Sequence, residues 1–310
     1  MALKIKRTLS APLLALICYG LLILSGFIKE SELQYRDNIY LSVIVIQILI
    51  FIIPGIIYCK LGGEKTVRGL RLRSFGANKL LFCIFCVCTL ICASGLVKLG
   101  IFELGYSSSN YTLYANYLPT SASGFKDIVY IILAIAVLPA LTEEFVFRGI
   151  VLSEYRAAGC KNFAAVAFST LLFGMLHFSL GQLPVYLLGG VAFAIIVIVT
   201  DSLPAAMLAH IINNAFSLLF ETTVLRLINQ SDSMIFVMFI FGTAFLIFLI
   251  ATLHLAEKIY LSRALAGENT PHARLSRKKQ KGLTPELEAL FSPALIACVI
   301  LFVLRVLKVF

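Results

Sequence analysis

The chain has 310 residues, 60% of them hydrophobic and only 14% charged, with a formal net charge of +10. A soluble domain carries about 25% charged residues, so this composition, with a mean hydropathy of +0.96, excludes a soluble globular enzyme and a disordered chain alike. It describes an all-α, polytopic transmembrane bundle, because in lipid the backbone must satisfy its own hydrogen bonds.

Apolar runs near the roughly 17–25 residues that cross a bilayer follow in chain order. They fall at 11–28, 39–59, 80–97, 128–142 and beyond, 162–178, 184–200, 203–220, 234–256 and 290–309. They predict 8–9 spans. Lys4, Lys6 and Arg7 precede the first run as in a signal peptide, but its apolar stretch is long and has no clear small-residue cleavage site. A retained first helix is expected. Lys and Arg gather in segments 60–79 and 257–289, whereas 29–38, 98–127 and 221–233 are sparse and mixed in sign. The positive-inside rule then gives a multi-pass protein of the cell membrane, with the N-terminus cytoplasmic and the C-terminus outside. The positive excess is a topology signal. Arg277-Lys-Lys-Gln-Lys281 is read as a face touching the anionic lipid of the bilayer, and no nucleic-acid partner is expected.

Three blocks result. Residues 1–125 hold N-terminal helices and an outer loop whose Tyr106–Tyr114 stretch suits an interfacial belt; 126–220 form a core; 221–310 hold C-terminal helices separated by the basic loop. Of the eight cysteines, Cys83-x-x-Cys86 has the spacing of half a metal or redox motif. Its apolar setting, with no histidine nearby, makes it a pair of small packing residues instead.

The core carries the intramembrane ionisable groups. Glu143 and Glu144 stand side by side after Leu138-Pro-Ala-Leu-Thr142, and Arg148 follows. A charged residue at the centre of a membrane helix costs about 2.5–3.5 kcal/mol and usually faces a protein interior or a wet cavity. Glu144 and Arg148, four apart, share a helix face and can pair. Glu143 is then left free, as a general base must be; the bland alternative is a buried ion pair that docks helices. His177 ends the run 162–178, and 143 and 177 are equidistant from position 160, in the expected turn Ala158-Gly-Cys-Lys161. In an antiparallel hairpin the two would stand at one level. His210 and Asn214 share a face of a helix that starts after Asp201-Ser-Leu-Pro204, with Asp201 or Ser202 available as its cap. They could stabilise an oxyanion or merely bond neighbouring helices. His254 and His272 are read as bystanders. The helix from 126 to 157 would be about 48 Å long, longer than the bilayer core, and Pro139 is a plausible kink.

Glu143-Glu-x-x-x-Arg148, Phe173-x-x-x-His177 and His210-x-x-x-Asn214, in that order on successive membrane helices, resemble the three motifs of the CPBP family. These are the type II CAAX prenyl endopeptidases and their Abi-type and bacteriocin-processing relatives. The resemblance covers about residues 130–217. It implies an intramembrane endopeptidase acting on a membrane-associated protein or peptide, prenylated or otherwise hydrophobic. By the same resemblance Glu143 would activate a water that His177 helps to hold, His210 and Asn214 would stabilise the oxyanion, and Glu144 and Arg148 would brace the site. No cofactor is expected. Metal-free hydrolysis is favoured because the compact zinc signature His-Glu-x-x-His is missing; the alternative is zinc held by Glu143, His177 and His210. Two other classes compete. A proton- or ion-coupled transporter could use the same carboxylates, although no repeat symmetry supports it. A non-catalytic immunity or scaffold protein would need none of the trio.

Overall fold

The computed structural model describes residues 6–27, 39–103, 129–230, 234–267 and 283–309. Tyr106–Tyr114, His272, the run 277–281 and most of the sparse loops lie outside these residues. Among the described residues every regular element is helical. In chain order these are α1 (Arg7–Ser25), α2 (Ile39–Gln47, Ile48–Ile52 and Ile53–Gly62, continuous), α3 (Glu64–Gly69) and α4 (Ala77–Glu103). Then come α5 (Val129–Ala157), α6 (Asn162–Met175), α7 (Leu183–Thr200) and α8 (Leu203–Gln230). The chain closes with α9 (Met234–Leu265), α10 (Pro285–Leu290) and α11 (Pro293–Val306). Six helices are long and apolar enough to cross a membrane, and three shorter apolar ones are Asn162–Met175, Leu203–Leu219 and Pro293–Val306. Together they fall on the nine apolar runs. The chain is an integral membrane protein.

Two widened stretches of helix have a common cause. Pro54 and Pro139 lie inside helices, each just after a stretch in which the backbone widens to i→i+5 bonding, at Ile48–Ile52 and Ile132–Val137. A proline lacks the donor for the preceding turn and its ring crowds the carbonyl four residues back, and a wider turn relieves both. The kink expected at Pro139 is thus a local widening. A third widened stretch, Phe145–Leu152, has no proline and begins directly after Glu144.

Several helices outrun their apolar segments. The loop expected at 221–233 is helical to Gln230, because Glu221–Gln230 contains no glycine or proline to stop α8 once it leaves the apolar run. The turn between α5 and α6 lies at 158–161 as expected, closed by Gly159 at φ +96° and by Cys160 N–H donating to the Tyr155 carbonyl at 3.1 Å.

One end of the bundle is tied by ion pairs. Arg7 reaches Glu154 at 3.5 Å, and Thr66 donates to the same carboxylate at 3.1 Å. Lys6 bonds Glu288 at 2.6 Å. Asp201, left-handed at φ 55° where α7 ends, is held by Arg71 at 2.9 Å and by Arg73. That leaves Ser202 as the cap of α8, its hydroxyl donating to the Arg73 carbonyl and accepting the Ala205 N–H at 3.4 Å. Hence α1, α4, α6 and α8 start, and α2, α5, α7 and α9 finish, at one basic end. The motif residues stand part-way along from it. Counting helical rise from the α5–α6 turn, Glu143 and His177 both lie roughly 20 Å in, and Asn214 roughly 15 Å from the start of α8. Each of these distances is shorter than the thickness of a hydrocarbon core, about 30 Å.

Candidate active site

α5 supplies the acids. Glu143, Glu144 and Arg148 are buried, at 7%, 0% and 0% exposure. Arg148 Nη1 donates to Glu144 Oε1 at 2.7 Å, the pairing that the four-residue spacing predicts. Its Nη2 donates to the Gly190 carbonyl at 3.2 Å, and its guanidinium lies 4.1 Å from the centroid of the Phe173 ring and 5.5 Å from that of Phe193. A planar cation can serve carboxylate, carbonyl and ring face at once, which an ammonium cannot. The approach of α7 that makes this contact needs glycine: a Cβ on Gly190 would sit 2.6 Å from Thr170 Cγ2.

α8 adds His210, whose Nδ1 stands 2.9 Å from the same Glu144 oxygen. A carboxylate oxygen only accepts, so Nδ1 carries the hydrogen and Nε2 is the nitrogen left to the site. The ring stacks on Phe193, centroids 4.4 Å apart. Glu144, Arg148 and His210 therefore form one network from two helices. The carboxylate of Glu143, one residue away, is hydrogen-bonded to none of the described residues. Its neighbour Thr142 instead faces Gln47 of α2, with Oγ1 3.1 Å from the amide oxygen. Asn214 donates to the Ala136 carbonyl of α5 at 3.5 Å, at the limit of a hydrogen bond, so little holds its amide there.

His177 lies just past the end of α6. Its Nδ1 is 3.1 Å from the Phe173 carbonyl, which again places the hydrogen on Nδ1 and leaves Nε2 bare. Its ring stacks on Tyr186 of α7, centroids 3.8 Å apart and planes within 16°. Phe173 is the hub: its ring meets His177 at 5.2 Å, His210 at 5.9 Å and Phe147 at 5.6 Å, besides Arg148. The fold thus gathers Glu144, Arg148, His210 and, through Phe173, His177. His254 lies exposed on α9, away from them.

The sequence does not single out Tyr186, Phe193, Gly190 or Gln47. The Gly189-Gly190 pair within an apolar helix is the one local signal of a close helix crossing. Among the described residues no three His, Cys, Asp or Glu side chains stand together as metal ligands.

Residues 125–216 match the family model described as Rce1-like, type II CAAX prenyl endopeptidase. This segment spans every motif residue in the network above. The chain carries a CPBP-family core. Comparison with curated proteins and with solved structures returns no match. Phe173 belongs to a buried cluster that residues of α1, α2 and α4, which precede the matched segment, join from outside it.

Proposed function

We propose that the chain is an intramembrane endopeptidase that hydrolyses one peptide bond of a membrane-associated substrate, of CAAX-prenylated, bacteriocin or other hydrophobic type, with the N-terminus cytoplasmic. One observation carries the reading: of two adjacent buried acids, one is committed to an arginine and a histidine and the other is uncommitted. A structural ion pair needs the first acid alone.

In this mechanism Glu143 takes a proton from a water whose other partner is His177 Nε2. The hydroxide oxygen attacks the scissile carbonyl carbon, and the carbonyl electron pair moves onto oxygen. Asn214 Nδ2–H donates to that oxyanion. His210 donates from Nε2 only when its ring holds both protons, because Nδ1–H is already given to Glu144. Such an imidazolium closes the local charge: two carboxylates, one guanidinium and one imidazolium. Collapse of the intermediate breaks the C–N bond, and Glu143 returns its proton to the leaving nitrogen.

Glu143→Ala and His177→Ala are each expected to abolish cleavage of a hydrophobic peptide by the chain reconstituted in liposomes, with insertion and yield unchanged. Full activity in either variant contradicts the mechanism.

A further inference from the structure

α6 ends at Met175, and the chain passes through His177 as a tight turn, with His177 N–H donating to the Gly174 carbonyl at 3.3 Å and Phe178 N–H to the Met175 carbonyl at 3.1 Å. The next residue, Phe178, has φ +48°, in the left-handed region that bulky side chains avoid. Such strain persists where surrounding groups enforce it. Tyr19 of α1 packs against this residue. Its ring meets the Phe178 ring edge-on, centroids 5.4 Å apart at 78°, and its hydroxyl donates to the Leu172 carbonyl at 2.6 Å. That carbonyl also accepts the Leu176 N–H at 3.3 Å. Tyr19 thus touches both sides of the His177 turn: a carbonyl in the last turn of α6 before it and the left-handed residue after it. Tyr19 is fully buried, and it lies outside the family-matched residues 125–216.

We propose that Tyr19 is a positioning residue for His177, holding the turn so that Nδ1 stays on the Phe173 carbonyl and Nε2 keeps a fixed aim. It touches no reacting atom. Its consequence for turnover rests on the peptidase reading; its consequence for the imidazole does not.

The test uses the full chain in lipid nanodiscs with nitrogen-15-labelled histidine, the His177 signals being identified by their loss in His177→Asn. The wild type is expected to show His177 as the Nδ1–H form. Tyr19→Leu is expected to convert that signature to a mixture of both tautomers. Tyr58→Phe, which removes a hydroxyl paired with Ser10 in another part of the bundle, should leave it unchanged. With a cleavable peptide, Tyr19→Leu should lower kcat roughly 10–100-fold, as a slightly misplaced catalytic group does, with KM nearly constant. Tyr19→Phe, which keeps the ring, should fall between. An unchanged His177 signature in folded Tyr19→Leu overturns the proposal whatever turnover does. Should that variant not fold, Tyr19→Phe and Phe178→Leu carry the same readout, and an unaltered signature in both overturns it. If the wild type cleaves nothing, the peptidase reading fails, and the tautomer comparison still decides the role of Tyr19.

Discussion

Of the helices long enough to cross a membrane, α5 buries the largest share of its apolar window, 44%, and α9 the smallest, 0%. α9 is nevertheless the more apolar of the two. In water the ranking would be reversed, since the most apolar segment would be the core. In lipid the outer helices can be uniformly apolar, and the interior is where polar groups go. α5 shows what that interior position allows: Glu143, Glu144 and Arg148 are withdrawn from lipid, and α6, α7 and α8 supply partners for Glu144 and Arg148.

The comparison breaks most easily at Arg148. Replacing it by methionine leaves Glu144 fully buried beside a single histidine, and loss of one member of a buried pair costs about 3–5 kcal/mol. Thermal melting of the purified chain should register that loss, and an unmoved transition would show the pair to be better solvated than its geometry suggests. Gly190→Ala tests helix approach rather than charge. The new methyl meets the stiff Thr170 side chain, and overpacking of this kind costs about 1–3 kcal/mol. Ile250→Ala on the exposed face of α9 is the control, expected to stay within about 0.5 kcal/mol.

The smallest effect is at the tied end of the bundle. Glu288 is held below its ordinary 4.5, first by the hydrogen bond from Lys6 and further by the Lys6 charge and the Thr8 hydroxyl, against a desolvation cost. Its folded value is the lower one, so this stabilisation is complete above the unfolded carboxylate range and disappears as pH falls through the folded value. The melting difference between wild type and Glu288→Gln should therefore be present at neutral pH and close in the acid range. A difference independent of pH would remove the ion pair from the account.

The fold was legible in the sequence because a bilayer demands long apolar helices, and the apolar runs coincide with helices. The α5–α6 turn was legible from Gly159, whose left-handed backbone suits it. Helix ends were less so: α8 and α9 continue as polar helix beyond their apolar runs, where hydropathy carries no information. Of the site, the Glu144–Arg148 pair followed from four-residue spacing. The His210–Glu144 bond did not, since it joins residues 66 apart through a packing arrangement with no local signature. It also changes what His210 can donate, a point that residue types alone leave open. Tyr19 was hidden for the same reason: a tyrosine in a first membrane helix looks like any packing residue until its hydroxyl is seen on the Leu172 carbonyl.

The central claim is that Glu143 and His177, brought from two helices, act on one water. A double-variant cycle on cleavage rate, using Glu143→Gln, His177→Asn and the two combined, tests it most directly. Groups that work as a unit are strongly non-additive. The double variant should be about as slow as the slower single variant. Losses that multiply would mean that the two residues act independently and would contradict the account.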